Sequence, residues 1–406
     1  MTSAPVAHCI NEALPEEVLG VIFEEHAKLE WIAPVIDGRV CHQWRQTILR
    51  SPRAWAYLQI RQSCNPAPSQ LRQWLDRSGS VPLHIKFMDR IWDDRIWGVE
   101  VLDSQCKRIN SIVLHGNITL LKDHSFPILQ SLTIKADYLY PPLIHWSACC
   151  VMPELRSFRA RNISVDALPS VIFPVLRVLA LHSVNNCDSI IRHSSHSLTS
   201  LMLNFISLKY TSESLEFPSL TFLSLYEVKN VKHRIHVPAL TTYHESGGIE
   251  EESFSTSLPF LIEYGICRLY KESPLNATKL HQCYPNISRL SIRAHPCAVK
   301  PFIHSLSRKP TALPMLRILA VAEVYSLMKY SGEDKGSMRK DVFRRNTASS
   351  VKMKLYFDGM ARIPLYSAYV RVYINENRGK LTYTLRIQIF PIEDFAFVLY
   401  LWLPFE

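Results

Sequence analysis

Glycine is scarce in this chain: 12 residues in 406, against 25 prolines. Phosphate-cradling loops need glycine because the backbone must approach the ligand closely, and neither G-x-G-x-x-G nor G-x-x-x-x-G-K-[ST] occurs. Also missing are the nucleophile elbow G-x-S-x-G, the zinc-binding H-E-x-x-H and the EF-hand loop. These absences leave a non-catalytic protein without a cofactor as the expectation. Ten cysteines occur, with no C-x-x-C and no regular spacing, which excludes a disulfide framework and reads as reduced thiols. The longest apolar run, Phe395 to Phe405, is 11 residues, about half of what a bilayer crossing needs. Residues 1–12 hold no basic stretch followed by an apolar one, so no secretory signal is read there. The expectation is a cytoplasmic or nuclear protein with no membrane segment. The N-x-[ST] matches at Asn117, Asn162, Asn276 and Asn286 are then chance occurrences.

What the chain does have is core-forming material: 47% hydrophobic and 20% charged residues, a balance that supports folding. At 406 residues it requires two or three domains, or a repeat array that grows along one axis. Net charge is +10, but the basic residues are spread along the chain. One modest cluster stands at Lys335, Arg339, Lys340, Arg344 and Arg345, without the aromatic interleaving of a nucleic-acid surface, so nucleic acid is not the expected partner. His193 and His196, near Asp188 and Cys187, lack further ordered ligands and read as surface residues. Glu250 to Glu252 read as a solvated charge run.

A helix is expected from Leu14-Pro15-Glu16-Glu17, where proline suits the first helical position and the carboxylates complement the helix dipole. Leu14, Val18 and Ile22 recur every fourth residue with Leu19 and Phe23 beside them, a stripe too wide for an isolated surface helix. A second helix follows on Val40, Trp44 and Ile48, stopping at Ser51-Pro52, and Trp55, Tyr57 and Leu58 form a third apolar segment. So small a core lies near the lower limit for independent stability and invites a partner.

These elements resemble the F-box family in the form common in fungal proteins. The matching residues are Leu14-Pro15-Glu16-Glu17-Val18-Leu19 with Ile22-Phe23, then Arg39-Val40-Cys41-x-x-Trp44-Arg45, then Ser51-Pro52-Arg53-Ala54-Trp55. Trp74-Leu75-x-Arg77-Ser78-Gly79-x-x-Pro82-Leu83 is similar to a segment that often follows the F-box in those proteins. The resemblance implies that Leu14, Pro15, Val18, Leu19, Ile22 and Val40 meet the S-phase-kinase-associated linker protein of a cullin-based (SCF-type) ubiquitin ligase. Trp44 and Trp55 would then hold the module's own core. His42-Gln43 departs from the basic residues that relatives often carry there.

Beyond residue 105 a phrase recurs, apolar-Pro-x-Leu-x-x-Leu-x-apolar, as in Phe126-Pro-Ile-Leu-Gln-Ser-Leu-Thr-Ile134 and Phe217-Pro-Ser-Leu-Thr-Phe-Leu-Ser-Leu225. Its register residues fall at 109, 129, 155, 176, 198, 220, 240, 261, 287 and 316, mostly 20 to 22 apart, with three steps of 26 to 29. Period and phrase resemble the leucine-rich repeat, which implies short parallel strands stacked in a solenoid. Proline at a strand start removes no central ladder bond. The Asn expected after each strand occurs only at Asn117, so an asparagine ladder is not expected. Strand alternation sends Lys135, Arg159, Arg161, His182, Asn204, Tyr226, His244, Arg289 and Arg293 to the open concave face. Of these, Arg159, Arg161, His182, Tyr226, His244, Arg289 and Arg293 are the candidate contacts to an acidic or phosphorylated protein substrate.

Residues 326–350 read as a charged loop, and 351–406 as a strand-rich cap with a hairpin turn at Asn375 to Gly379. The expected fold class is therefore α/β: a tail (1–12), a small three-helix F-box-like module (13–60), a linking segment (61–105), a leucine-rich-repeat solenoid (106–325), the loop and an irregular β-containing cap. The expected function is a substrate-recognition adaptor of a ubiquitin ligase, with the linker protein, through it a cullin, and an unidentified protein substrate as partners. A repeat scaffold with no ligase connection is the alternative.

Overall fold

In a computed structural model the chain is α/β and carries a parallel β-solenoid. The structure describes residues 14–60, 67–88, 104–115, 121, 124–136, 143–144, 151–165, 173–208, 214–228, 235–246, 258–267, 276–294, 296–309, 311–322, 332–348, 353–363, 366–377 and 380–391. It divides into two compact units, 1–197 and 198–406.

The first unit opens with helices α1 (Glu16–Leu29), α2 (Ala33–Asp37) and α3 (His42–Leu49), followed by a 3-10 turn, Pro52–Trp55. Strand β1 (Tyr57–Ile60), helix α4 (Pro68–Arg77) and strands β2 (Leu83–Phe87), β3 (Ile109–His115) and β4 (Ser131–Lys135) come next. Strands β5 (Leu143–Ile144), β6 (Ser157–Arg161), β7 (Ser164–Val165) and β8 (Val178–His182) follow, then helix α5 (Asp188–Ser194). Strands β1, β2, β3, β4, β6 and β8 pair successively in parallel, while β5 pairs β7.

Two expectations change here. The third apolar segment, Trp55 to Leu58, is no helix: its last two residues start β1, because alternating burial from Tyr57 to Ile60 is a strand pattern. The stretch expected to link module and array, 61–105, holds α4 and β2, so parallel pairing begins before residue 106. Between α1 and α3, helix α2 forms with Pro34 in its first turn, where the fixed φ of proline suits a helix start.

The second unit contains β9 (Ser200–Asn204), β10 (Leu215–Glu216), β11 (Phe222–Tyr226), β12 (Ile235–His236), β13 (Thr242–Ser246) and β14 (Glu263–Cys267). After them come α6 (Ala277–Cys283), β15 (Arg289–Arg293), α7 (Pro296–Arg308), β16 (Ile318–Ala322), α8 (Gly332–Ala348), β17 (Lys354–Ile363), β18 (Tyr366–Asn377) and β19 (Lys380–Pro391). Pairing is parallel from β9 through β11, β13, β14, β15 and β16 to β17, and β10 pairs β12. It turns antiparallel at β18 and β19, the strand-rich segment expected at the C-terminus. The long steps in the repeat, 261 to 287 and 287 to 316, hold α6 and α7.

The recurrent proline does not stand in a strand. Leu129, Leu155, Leu176, Leu220, Leu240, Leu261 and Leu316 each donate their backbone N–H to the carbonyl three residues earlier, on Phe126, Met152, Phe173, Phe217, Val237, Leu258 and Leu313. The phrase is therefore a β-turn with proline at its second position, where a fixed φ near −65° is already correct. The strand begins two residues later. First apolar residue and leucine both point into the core: Phe126, Leu129, Phe217 and Leu220 are fully buried.

The opposite corner carries left-handed backbone. Asn162, Ser183, Phe205 and Glu227, each the residue after a strand, have φ of 51° to 55°. Asn162 adds a side-chain bond, its Nδ2 donating to the Ala136 carbonyl at 2.9 Å, so one asparagine does tie adjacent turns. One core position is polar: Glu245 stands where neighbouring strands have Leu225 and Ile266. Tyr243 donates to Glu245 Oε2 at 2.9 Å, and Tyr264 donates to Oε1. Burial and the adjacent carboxylate push the Tyr264 hydroxyl well above its ordinary range.

The segment expected as a charged loop is the helix α8. Met338, Asp341 and Val342 form its buried stripe, and Asp341 lies 3.5 Å from His304 of α7.

Left-handed backbone costs an L-residue about 1–2 kcal/mol, while glycine adopts it freely. Ser183→Gly should therefore raise the unfolding free energy by up to about 1 kcal/mol, read as a higher urea midpoint. A lowered midpoint would refute the assignment of strain to this corner.

Candidate functional site

Two surfaces of the first unit stand out, one apolar and one basic. The apolar one follows from α1 having two faces. Leu19, Phe23 and Ala27 form its buried stripe, with the Phe23 ring edge-on to Trp44 at 5.1 Å. Val18, Val21, Ile22 and Leu29, at spacings of three, four and seven residues, lie along another face. They are 43%, 59%, 43% and 79% exposed. Seven of the fourteen large apolar side chains exposed among the described residues fall between 18 and 49, the others there being Ile36, Val40 and Leu49. Scattered exposed apolar residues are ordinary, whereas such concentration makes this surface a candidate for interaction.

The framework beneath is pinned by polar and aromatic contacts. His26 Nδ1 meets the buried carboxylate of Asp37 at 2.9 Å, joining α1 to α2. Arg45 Nε donates to the Gly38 carbonyl, Trp55 Nε1 donates to the Ile48 carbonyl at 2.9 Å, and Arg77 of α4 lies 4.5 Å over the Trp55 ring. Trp74 contacts both Trp31 and Trp55.

Of the six residues expected to meet a linker protein, Pro15, Val18, Ile22 and Val40 are exposed and Leu14 is half-buried. Leu19 is not available: it is wholly buried. A fourfold spacing drawn from Leu14 could not separate the two faces, because both carry apolar residues. Val21 and Leu29 were missed, though their spacing from Val18 and Ile22 places them on the same side.

The basic surface is the face of the sheet turned away from the core. Lys135, Arg161 and His182 are partners in register on β4, β6 and β8, with Arg159 on the same face of β6. The two arginines and Lys135 are half-buried and His182 is buried. Burial, and secondarily the Arg161 guanidinium, lower the His182 pKa to about 4.

In the second unit the expected residues divide. Asn204 and Tyr226 are buried on β9 and β11. His244 is also buried, and its Nε2 lies 3.7 Å from Glu263 Oε1, whose other oxygen is 3.8 Å from Arg289. Arg293 is half-buried on the same strand as Arg289. Glu263 was missed; its place one repeat after Thr242 is the available signal. It converts what looked like a basic face into a mixed one. Gly265 sits opposite His244 in register, and a Cβ there would approach the imidazole Cδ2 to 2.5 Å. The ring can therefore lie over β14 only because position 265 has no side chain.

Among the described residues no group of three or more His, Cys, Asp and Glu is placed to hold a metal, and His193 Nδ1 meets the Ser189 carbonyl at 2.7 Å. Glu250 to Glu252 lie outside the described residues, as do four of the cysteines, while Cys41, Cys187, Cys267 and Cys283 are free thiols. No helix among the described residues is long and apolar enough to cross a membrane.

Gly265→Ala should destabilise the chain by about 1–3 kcal/mol, the usual range for overpacking, and the loss should largely vanish in a His244→Ala background. Equal losses in both backgrounds, measured by urea unfolding, would show that the imidazole is not the obstacle. His182 should titrate near 4 rather than near its ordinary 6.5. Because the unfolded chain binds the proton first, its contribution is fully present above about pH 6.5 and declines as pH falls toward 4. Arg161→Gln should move the titration upward, and an NMR titration of the His182 ring unchanged by that substitution would remove the guanidinium as a cause.

Comparison with protein-family models matches none of them to this chain, and comparison with curated proteins likewise matches none.

Proposed function

We propose that this protein is a non-catalytic substrate-recognition adaptor of a cullin-based ubiquitin ligase. The single observation that carries the reading is the exposed apolar face of α1, Val18, Val21, Ile22 and Leu29, with Pro15 before it and Val40 beyond. Four of these, Pro15, Val18, Ile22 and Val40, are residues through which the F-box resemblance implies contact with the S-phase-kinase-associated linker protein. A solvent-facing valine and isoleucine on a charged helix gain nothing in the isolated chain, and each gains about 1.5–3 kcal/mol when fully buried. The leucine-rich-repeat-like strands present the substrate surface. An adaptor of this kind supplies no reacting group; it raises the effective concentration of substrate lysines beside a ubiquitin-loaded partner.

The test uses the exposed positions, so that folding is not at stake. The intact chain should capture the purified linker protein in a pull-down. Val18→Asp combined with Ile22→Asp should weaken capture about a hundredfold or more, by loss of two buried apolar side chains, with an unchanged circular dichroism spectrum. Capture that survives both substitutions would move the contact elsewhere. No capture by the folded intact chain would sink the adaptor reading and leave a leucine-rich-repeat scaffold without a ligase connection.

A further inference from the structure

The outward positions of β1, β2, β3, β4, β6 and β8 carry Lys86, Lys135, Arg159 and Arg161, with imidazoles at His84, His115 and His182, and not one Asp or Glu. Parallel register arranges them in rows that cross the strands. His115, Lys135, Arg161 and His182 are successive partners in one row. Lys86, Val113, Thr133 and Arg159 are successive partners in the next. Ser111, Ser131 and Ser157 form a third, a line of hydroxyls beside the cations.

Neighbouring strands stand about 4.8 Å apart, and Lys135 and Arg161 are directly opposite one another in register. Three strand spacings separate Lys86 from Arg159, a band about 14 Å wide, which an extended peptide of about four or five residues spans. Nucleic acid fits the charge but not the chemistry. Single-strand binding relies on aromatic platforms. The one phenol ring at these outward positions, Tyr57, is at the edge and already stacked on His84 at 4.6 Å.

We propose that this face binds a carboxylate-rich, extended segment of a protein partner, laid across the strands so that its acidic side chains meet the Lys135–Arg161 and Lys86–Arg159 rows. The inference deepens the adaptor reading by naming the substrate chemistry, and rests on it for the biological setting. The cations supply long-range attraction and guanidinium–carboxylate bonds, and the serine row supplies donors to the peptide backbone. Association should weaken steeply with added salt, because the rows are half-exposed and screened.

Fluorescence anisotropy of a labelled ten-residue polyglutamate peptide against the full chain at low salt tests this. Binding should be saturable and should weaken at least about tenfold on Arg159→Glu with Arg161→Glu, while Val18→Asp with Ile22→Asp leaves it unchanged. Arg159→Gln with Arg161→Gln, milder for the fold, should weaken it in the same direction. No binding by the folded intact chain, or binding indifferent to both pairs of arginine substitutions, overturns the proposal. So does a ten-residue oligouridylate that binds more tightly than the peptide and is lost in the same variants. Peptide binding by a chain that does not capture the linker protein would retain this surface and discard the adaptor reading, so the two failures are separable.

Discussion

Residue-for-residue parallel register is the constraint from which the rest follows. Apart from one register shift between Leu83 and His84 in the β2–β3 pair, successive strands pair without slipping, and each side chain is stacked on its counterpart one turn away. Inward, that gives columns such as Leu132, Phe158 and Leu179 in the first unit and Leu201, Leu223 and Tyr243 in the second, all fully buried. Outward, it gives rows whose chemistry is whatever the sequence supplies at a fixed phase. A slip of one residue would send the leucines outward and the arginines inward, so burial of the columns holds the outward rows in place. The basic band and the core are two consequences of one register.

The same logic explains where the repeat can bend its own rules. An inward carboxylate at Glu245 would be costly alone, but the next inward positions of β13 and β14 are Tyr243 and Tyr264, which deliver two hydroxyls to it. On the outer side, His244 takes the space that Gly265 leaves open. In both cases a residue that departs from the repeat is tolerated because a neighbouring position departs with it.

Much of this was legible in the sequence, and the failures have specific causes. The phrase apolar-Pro-x-Leu located the strands and their phase, since periodicity survives even when the physical role of its proline is misassigned. Its turn was invisible because proline at a strand edge and proline in a preceding turn leave the same spacing. Helix α8 was read as a loop because its stripe is short, Met338, Asp341 and Val342, among charges that outnumber its apolar residues. Leu19 was assigned to a partner because α1 has two apolar faces, and composition cannot tell which one the chain keeps. Glu263 was overlooked because the candidate contacts were chosen for basic or aromatic type, although it holds the register position of Arg289.

The scarcity of glycine can now be placed. A solenoid must turn corners at every repeat, and left-handed backbone at a corner ordinarily invites glycine. Here the corner before β4, β6, β8, β11, β13, β14 and β16 carries proline, which is pre-set for a β-turn and lowers the entropy of the unfolded chain. The corner after the strand accepts Asn162, Ser183, Phe205 and Glu227 at positive φ. Asparagine tolerates that region best, and its side chain bonds to Ala136 in return. Phe205 has a different compensation, its ring packing edge-on against Tyr226 at 5.1 Å. Backbone bonds across the corner, Asn162 N to His182 O and Phe205 N to Tyr226 O, each 2.8 Å, fix both in place. The strain is therefore a local cost held by cooperative neighbours, and it is why a chain with 12 glycines can still wind so many turns.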